Sequence, residues 1–239
     1  GGAKRFADRG LIPRSISALF QGLGARADRG DFKVTVAFYE LYKDAVVDLL
    51  SEKRRRVQAE IGADGEVELV GVRRQSVATE SDAYHLLFQG DSNRHFERLP
   101  LNSETSRGHV FYEVQVSHAP SGRRAALSFI DLAAEAGPRN TATEAIVQSL
   151  DAMRGAMAAM HRGLAPCFDG ALLTQLLRPW LQPWGAPGTE VHLAMIHPFK
   201  YSVQLHDELS NWLTFARQVH EALCTSISRQ LANGAARAS

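Results

Sequence analysis

The stretch Asn102-Ser-Glu-Thr105-Ser106-Arg107-Gly108-His109 gathers an amide, adjacent hydroxyls, a guanidinium and an imidazole in one short segment. Thr105 and Ser106 carry hydroxyls, a group able to bind hydrated Mg2+ and position water. Asp131 is a further polar group able to do chemistry. It follows the apolar run 125–130, and a carboxylate at a strand end can stand beside a metal's water shell. Read alone, residues 102–109 equally fit a polar loop at a strand edge. Other chemistries find no footing. The nine His are scattered, none pairing with a second ligand at metal spacing, and no coherent nucleophilic triad is visible. A phosphate loop, G-x-x-x-x-G-K-[ST], cradles phosphates with its backbone amides and a Lys. No such string occurs, and Gly1-Gly2-Ala3-Lys4 has the wrong spacing with no hydroxyl after the Lys.

Such loops work only if strands and helices present them side by side. The 239 residues suffice for one large domain or two small ones, and a hydrophobic share of 45% is ordinary for a globular core. Lys and Arg number 27 against 26 Asp and Glu, which argues against a bulk nucleic-acid binder but leaves room for a local basic face. Cys167 and Cys224 form no disulfide framework or metal set, so a reducing compartment is expected. No apolar run reaches bilayer length, and GGAKRFADRG lacks the apolar centre of a signal peptide; neither membrane insertion nor secretion is expected.

Along the chain, Ile16, Leu19, Phe20 and Leu23 recur at helical spacing, with Pro13 in the first turn. From Asp31, the residues Phe32, Val34, Val36 and Phe38 alternate with Lys33, Thr35, Ala37 and Tyr39, which predicts a strand. Residues 51–60 read as a charged surface loop, and Asp64-Gly65 as a turn between short strands. A short helix is predicted over 81–90, capped by Ser81, with Leu86 and Leu87 facing the core. Residues 110–116 alternate up to a hairpin turn at 118–123, and 125–130 read as a buried strand. Ile146, Leu150, Met153, Met157 and Met160 mark a long helix. Leu172, Leu173, Leu176 and Leu177 mark another before Pro179, a strand is expected at 191–196, and a last helix about 207–223. Interleaved strands and helices make the class α/β.

In this order, several fragments resemble the kinesin motor domain. Gly10-Leu-Ile-Pro-Arg14 is similar to G-I-I-P-R, and 36–42 with Val47-Asp-Leu-Leu50 to the strand that ends in D-L-L. Gly90-Asp-Ser-Asn-Arg94 is similar to G-x-x-x-R, and residues 102–109 to switch I, N-x-x-S-S-R-S-H. Asp131-Leu-Ala133 resembles switch II, D-L-A-G-S-E, while Glu144, Leu173-Thr174 and 213–217 open or carry three further fragments. The match runs over about residues 10–222, and residues 102–109 are its most specific piece.

The resemblance implies a phosphate-loop NTPase fold: a mixed central sheet with helices on both faces, incomplete on the N-terminal side. Residues 1–223 would be the C-terminal portion of the motor domain, and 224–239 a flexible tail or the start of a neck. It implies ATP or ADP with Mg2+ if a phosphate loop lies upstream. Asn102, Thr105, Ser106, Asp131 and Ala134 would line the nucleotide, with Ser106 and Asp131 on the metal side. Thr105, Ser106, Arg107, Asp131 and Glu135 would serve catalysis. Departures matter here. Gly108 replaces a Ser, Ala134 replaces the Gly whose amide senses the γ-phosphate, and the Glu that pairs with Arg107 becomes Ala136, or Glu135 with one deletion. On the track-binding face an Arg becomes Phe168 and a Lys becomes Ala171. Arg139, Arg154, His161, Arg162 and Arg178 are the cations left for an acidic microtubule surface. Phe168 reads either as an apolar partner contact or as core, and the Trp180 and Trp184 pair likewise. Tubulin or other cytoskeletal or axonemal proteins are the implied partners, with no nucleic acid or membrane; the cytoplasm, cytoskeleton or a cilium is the implied location. A kinesin-derived structural or regulatory protein with weak or absent ATPase is expected, the alternative being an active motor.

Overall fold

The computed structural model describes residues 9–62, 67–98, 104–135 and 139–181. The strand expected at 191–196, the helix near 207–223, the 224–239 tail, the Asp64-Gly65 turn, Asn102, Ala136 and Trp184 lie outside them. The chain divides into two compact units, Gly1–Glu60 with Leu69–Ile146, and Ile61–Glu68 with Val147–Ser239.

The elements run α1 (Leu11–Gly24), β1 (Phe32–Tyr42), β2 (Ala45–Asp48), β3 (Arg56–Ile61), β4 (Val67–Val70) and β5 (Gln75–Val77). They continue with α2 (Glu80–Ser92), β6 (Phe96–Arg98), β7 (Glu104–Ser106), β8 (His109–His118), β9 (Arg124–Asp131), α3 (Thr141–His161) and α4 (Leu172–Leu181). The main sheet has the order β4-β3-β2-β1-β8-β9, with β5 also on β1; β6 and β7 form a separate ribbon.

Strand β1 organises the first unit. One edge carries β8 from Phe32↔His118 to Leu41↔His109; the other carries β5 near Val36 and β2 near Leu41. Period-two alternation sets Val34, Val36 and Phe38 on one face, where they join Val110, Tyr112 and Val114 of β8. Ile16 and Leu23 of α1, with Ala83 and Leu86 of α2, close that core, and Leu87 packs partly against it. Burying one such side chain contributes about 1.5–3 kcal/mol, so this face dominates the stability of the unit.

Three local expectations need correction. The cap of α2 is Thr79, not Ser81. The extended backbone of Thr79 lets its hydroxyl accept the Asp82 N–H, while the Asp82 carboxylate accepts the Thr79 N–H, a reciprocal capping box. Strand β9 forms but is not buried, since Leu127 is 42% exposed and β8 is its ladder partner among the described residues. Half of the charged loop 51–60 is strand β3, held by the Val47↔Arg56 register.

In the second unit, Leu150, Met153, Met157 and Met160 of α3 are buried, as the helical period requires. Helix α4 includes Pro179 in its last turn and buries Leu173, Leu176, Leu177 and Leu181. The Thr174 hydroxyl sits at its start, 2.6 Å from the Phe168 carbonyl and 2.7 Å from that of Ala171.

Candidate functional site

The β8–β9 register pairs Val110 with Asp131, which brings the end of residues 104–109 beside the end of β9. Two contacts join the segments. The Ala133 N–H donates to His109 Nδ1 at 3.1 Å, and Arg94 Nη2 donates to both Ser106 Oγ and Asp131 Oδ2 at 2.9 Å. Arg94 comes from just beyond α2, where Nη1 also reaches Asp91 at 3.2 Å and the guanidinium lies over the Phe96 ring. The Arg94 side chain is largely buried while Asp131 is open to solvent. Arg94 is thus a site residue that sequence reasoning quoted only as part of a fragment; its G-x-x-x-R motif was the available signal.

Burial pushes the His109 imidazole down to about 4. It is therefore neutral at pH 7, consistent with Nδ1 serving as an acceptor for Ala133.

Arg107 is 3% exposed, and its Nε bonds Glu97 Oε2 at 2.5 Å. Glu97 stands on β6, paired with Thr105 in the β6–β7 ribbon. The Asn140 amide donates to both Glu97 oxygens, at 3.1 and 3.3 Å. Its own Oδ1 accepts the Ala142 and Thr143 N–H groups at the start of α3. The carboxylate on this buried Arg therefore comes from the hairpin that carries it, and nothing in the 131–136 motif pointed to Glu97.

Beneath the same segment lies Glu40, fully buried. Its carboxylate takes the His95 backbone N–H and lies 2.6 Å from His95 Nδ1, and the His95 ring stacks on Tyr42 at 4.1 Å. The His95 carbonyl in turn accepts the Arg107 N–H at 2.9 Å. A Cβ built on Gly108 would fall 2.3 Å from Glu40 Cγ. Glycine at 108 therefore makes room for the Glu40 side chain.

The remaining sequence candidates are dispersed. Thr105 is half-buried in β7, Ala134 is exposed and Glu135 half-buried past β9, and Arg139 is exposed. In the second unit Arg154 pairs with Asp151 at 2.7 Å, and His161 and Arg162 are exposed. Phe168 is buried, with the Arg178 guanidinium 5.9 Å above its ring, so of its two readings the core one describes this structure. Trp180 is half-buried.

Among the described residues no group of three or more His, Cys, Asp or Glu could hold a metal ion. The Ser106 hydroxyl and the solvent-facing Asp131 carboxylate are hard oxygen donors suited to the water shell of Mg2+. They fit an ion carried mainly by nucleotide phosphates rather than by the protein.

Helices packed on a β1-centred sheet, with a hydroxyl-bearing loop and a strand-end Asp side by side, define an α/β architecture with two polar loops at one end of its sheet. The kinesin motor domain profile matches residues 2–222, and the chain belongs to that family. Kinesin motor domains bind ATP or ADP with Mg2+. The human kinesin-like protein KIFC2 is 30% identical over 202 residues, covering 74% of this chain and 24% of the relative. Human chromosome-associated kinesin KIF4A is 29% identical over 142 residues, covering 56% of this chain and 11% of the relative. The matched region is thus a minor part of either relative. A KIF14 dimer in complex with AMP-PNP and a microtubule superimposes with a TM-score of 0.76 at 19% identity, covering 91% of this chain and 66% of that one. A fast kinesin superimposes at 0.60 with 21% identity, covering 74% and 55%. These likenesses establish the kinesin-type fold.

Proposed function

We propose that the chain is part of a kinesin-like microtubule-associated protein whose nucleotide cycle is weak or absent, with a structural or regulatory role on microtubules. One observation carries the reading: Glu97, braced by Asn140, holds the Arg107 Nε. With Nε tied to a carboxylate of its own hairpin, Arg107 is oriented by β6 and must be re-aimed against that ion pair to make a two-pronged contact with a switch II carboxylate such as Glu135. In this reading Thr105 and Ser106 orient Mg2+ and water, Asp131 stands by the metal's shell, and Arg107 closes the switch. Asn102 and Ala134 line the phosphate side. The cations Arg139, Arg154, Arg162 and Arg178 are the candidates to meet acidic tubulin, with the Phe168 ring beneath Arg178. A location on cytoplasmic or ciliary microtubules follows from such a partner.

The alternative is an active motor whose phosphate loop is supplied outside this sequence. The Arg94 bridge between Ser106 and Asp131 favours it, because a coupled pair of loops is what a working switch needs. Microtubule-stimulated ATPase of the full-length protein separates the two. The first reading expects turnover near background, rising in Glu97→Ala. Robust wild-type turnover, or background turnover that Glu97→Ala leaves unchanged, would sink it.

A further inference from the structure

A polar cluster outside the nucleotide site stands at the β8–β9 turn, at the opposite end of β9 from Asp131. The turn is Ala119-Pro120-Ser121-Gly122, closed by the His118 N–H on the Arg123 carbonyl at 2.9 Å. Gly122 takes the left-handed φ of 64 that lets so short a loop reverse. The Ala119 N–H donates to the Asp31 carbonyl at 2.9 Å, which ties the turn to the chain entering β1.

The His118 ring is fixed in place. It stacks on Phe32 at 4.5 Å, and the Arg26 guanidinium also lies over that Phe32 ring at 4.9 Å. His118 Nδ1 is 2.8 Å from Ser121 Oγ, and Nε2 is 3.7 Å from Asp28 Oδ2. Asp28 bonds Arg26 through both oxygens at 2.8 Å, which sets its orientation. Ser121 Oγ also accepts the Arg123 N–H at 3.4 Å. Ser121, Arg123 and Arg124 are exposed, and the ladder places Lys33 and Arg124 on either side of Ser117. Among the described residues Lys33, Arg123 and Arg124 make no ion pair. An exposed hydroxyl therefore has an imidazole and a backbone N–H against it, with three unmatched cations at the same strand ends.

We propose that Ser121 is a phosphorylation site whose phosphate is received by His118 and the arginines of the turn. Ser121 Oγ attacks the γ-phosphorus of a nucleoside triphosphate held by a protein kinase. The Oγ–P bond forms, the bond from that phosphorus to the β-phosphate oxygen breaks, the nucleoside diphosphate leaves, and the hydroxyl proton passes to the kinase's base. Phosphoserine carries about −1.5 to −2 charge and three acceptor oxygens. A protonated imidazole donates from both nitrogens. His118 then bridges the phosphate at Nδ1 and Asp28 at Nε2, which joins the turn to the segment before β1. The Arg123 N–H and the Arg123 and Arg124 guanidinium groups supply further charge-assisted donors. The modification exchanges a local positive excess for a pinned turn of lower charge. The site does not rest on the nucleotide reading, because none of its residues touches Arg94, Ser106 or Asp131.

The test has two arms on the whole chain. In the first, the chain is incubated with ATP, Mg2+ and the catalytic domain of protein kinase C, a serine kinase directed to basic sequences, and the phosphate is located by mass spectrometry. Ser121 should take up most of it, and Arg123→Ala with Arg124→Ala should slow that uptake about fivefold or more, two exposed charge contacts being lost. The second arm needs no kinase. Phosphoserine encoded at position 121 should slow hydrogen exchange of the His118 amide about tenfold. In His118→Phe, which keeps the ring stack but has no ring nitrogens, the slowing should shrink to about threefold or less. No phosphate on Ser121, as when it goes only to Ser76 behind Arg73 and Arg74, would overturn the proposal. So would unchanged uptake without the two arginines, or exchange that phosphoserine leaves unaltered or slows equally in His118→Phe.

Discussion

Replacing Gly108 by Ala tests whether Glu40 fixes the loop that carries Arg107. An added Cβ meets Glu40 Cγ at 2.3 Å, Oε1 at 2.4 Å and Cδ at 2.6 Å, all below any tolerable contact. The Glu40 side chain must move, and it is fully buried and bonded to His95 through both the ring and the backbone N–H. Overpacking alone costs about 1–3 kcal/mol, and loosening a charge-assisted hydrogen bond about 1.5–3 kcal/mol. A loss of about 2.5–6 kcal/mol follows for Gly108→Ala, read as a lower urea midpoint at unchanged slope. The decisive measurement is the cycle with Glu40→Ala. If the clash is with Glu40, the double variant should be more stable than the sum of the single losses by at least about 1 kcal/mol. Additive losses, or a Gly108→Ala protein as stable as wild type, would refute the reasoning.

Stability should also fall with acid through His109. Its folded-state pKa is depressed to about 4, so the unfolded chain takes up a proton first, and stability present above about pH 6.5 is lost as pH falls toward 4, by up to roughly 3 kcal/mol; His109→Gln should flatten urea midpoints across that range. Thr79→Ala should cost about 1 kcal/mol through the lost cap. The Thr79 hydrogen bond holds the Asp82 carboxyl below its usual range, so the cost should shrink as pH drops through that lowered pKa and the carboxylate protonates. Thr174→Val strands the Ala171 N–H and loses the bond to a buried carbonyl, an expected loss of about 1–3 kcal/mol by thermal melting.

The sequence by itself determined the local periods. Alternation from Phe32 to Tyr39 made β1, and four-and-three spacing from Ile146 to Met160 made α3, because a side chain's face is set by its position in a repeat. It also determined the two chemical loops, since residues 104–109 and Asp131 stand where strand ends must be. The partners were decided only by tertiary structure. Arg94 meets Asp131 across 37 residues, and Glu40 meets His95 across 55, contacts set by strand register and side-chain reach rather than spacing. The carboxylate on Arg107 Nε comes from Glu97, brought there by the hairpin register and not by any spacing within the 102–109 or 131–136 motifs. Thr79 displaced Ser81 as a cap for a related reason: the cap must be the residue whose backbone stays extended, a choice fixed when α2 packs on β1.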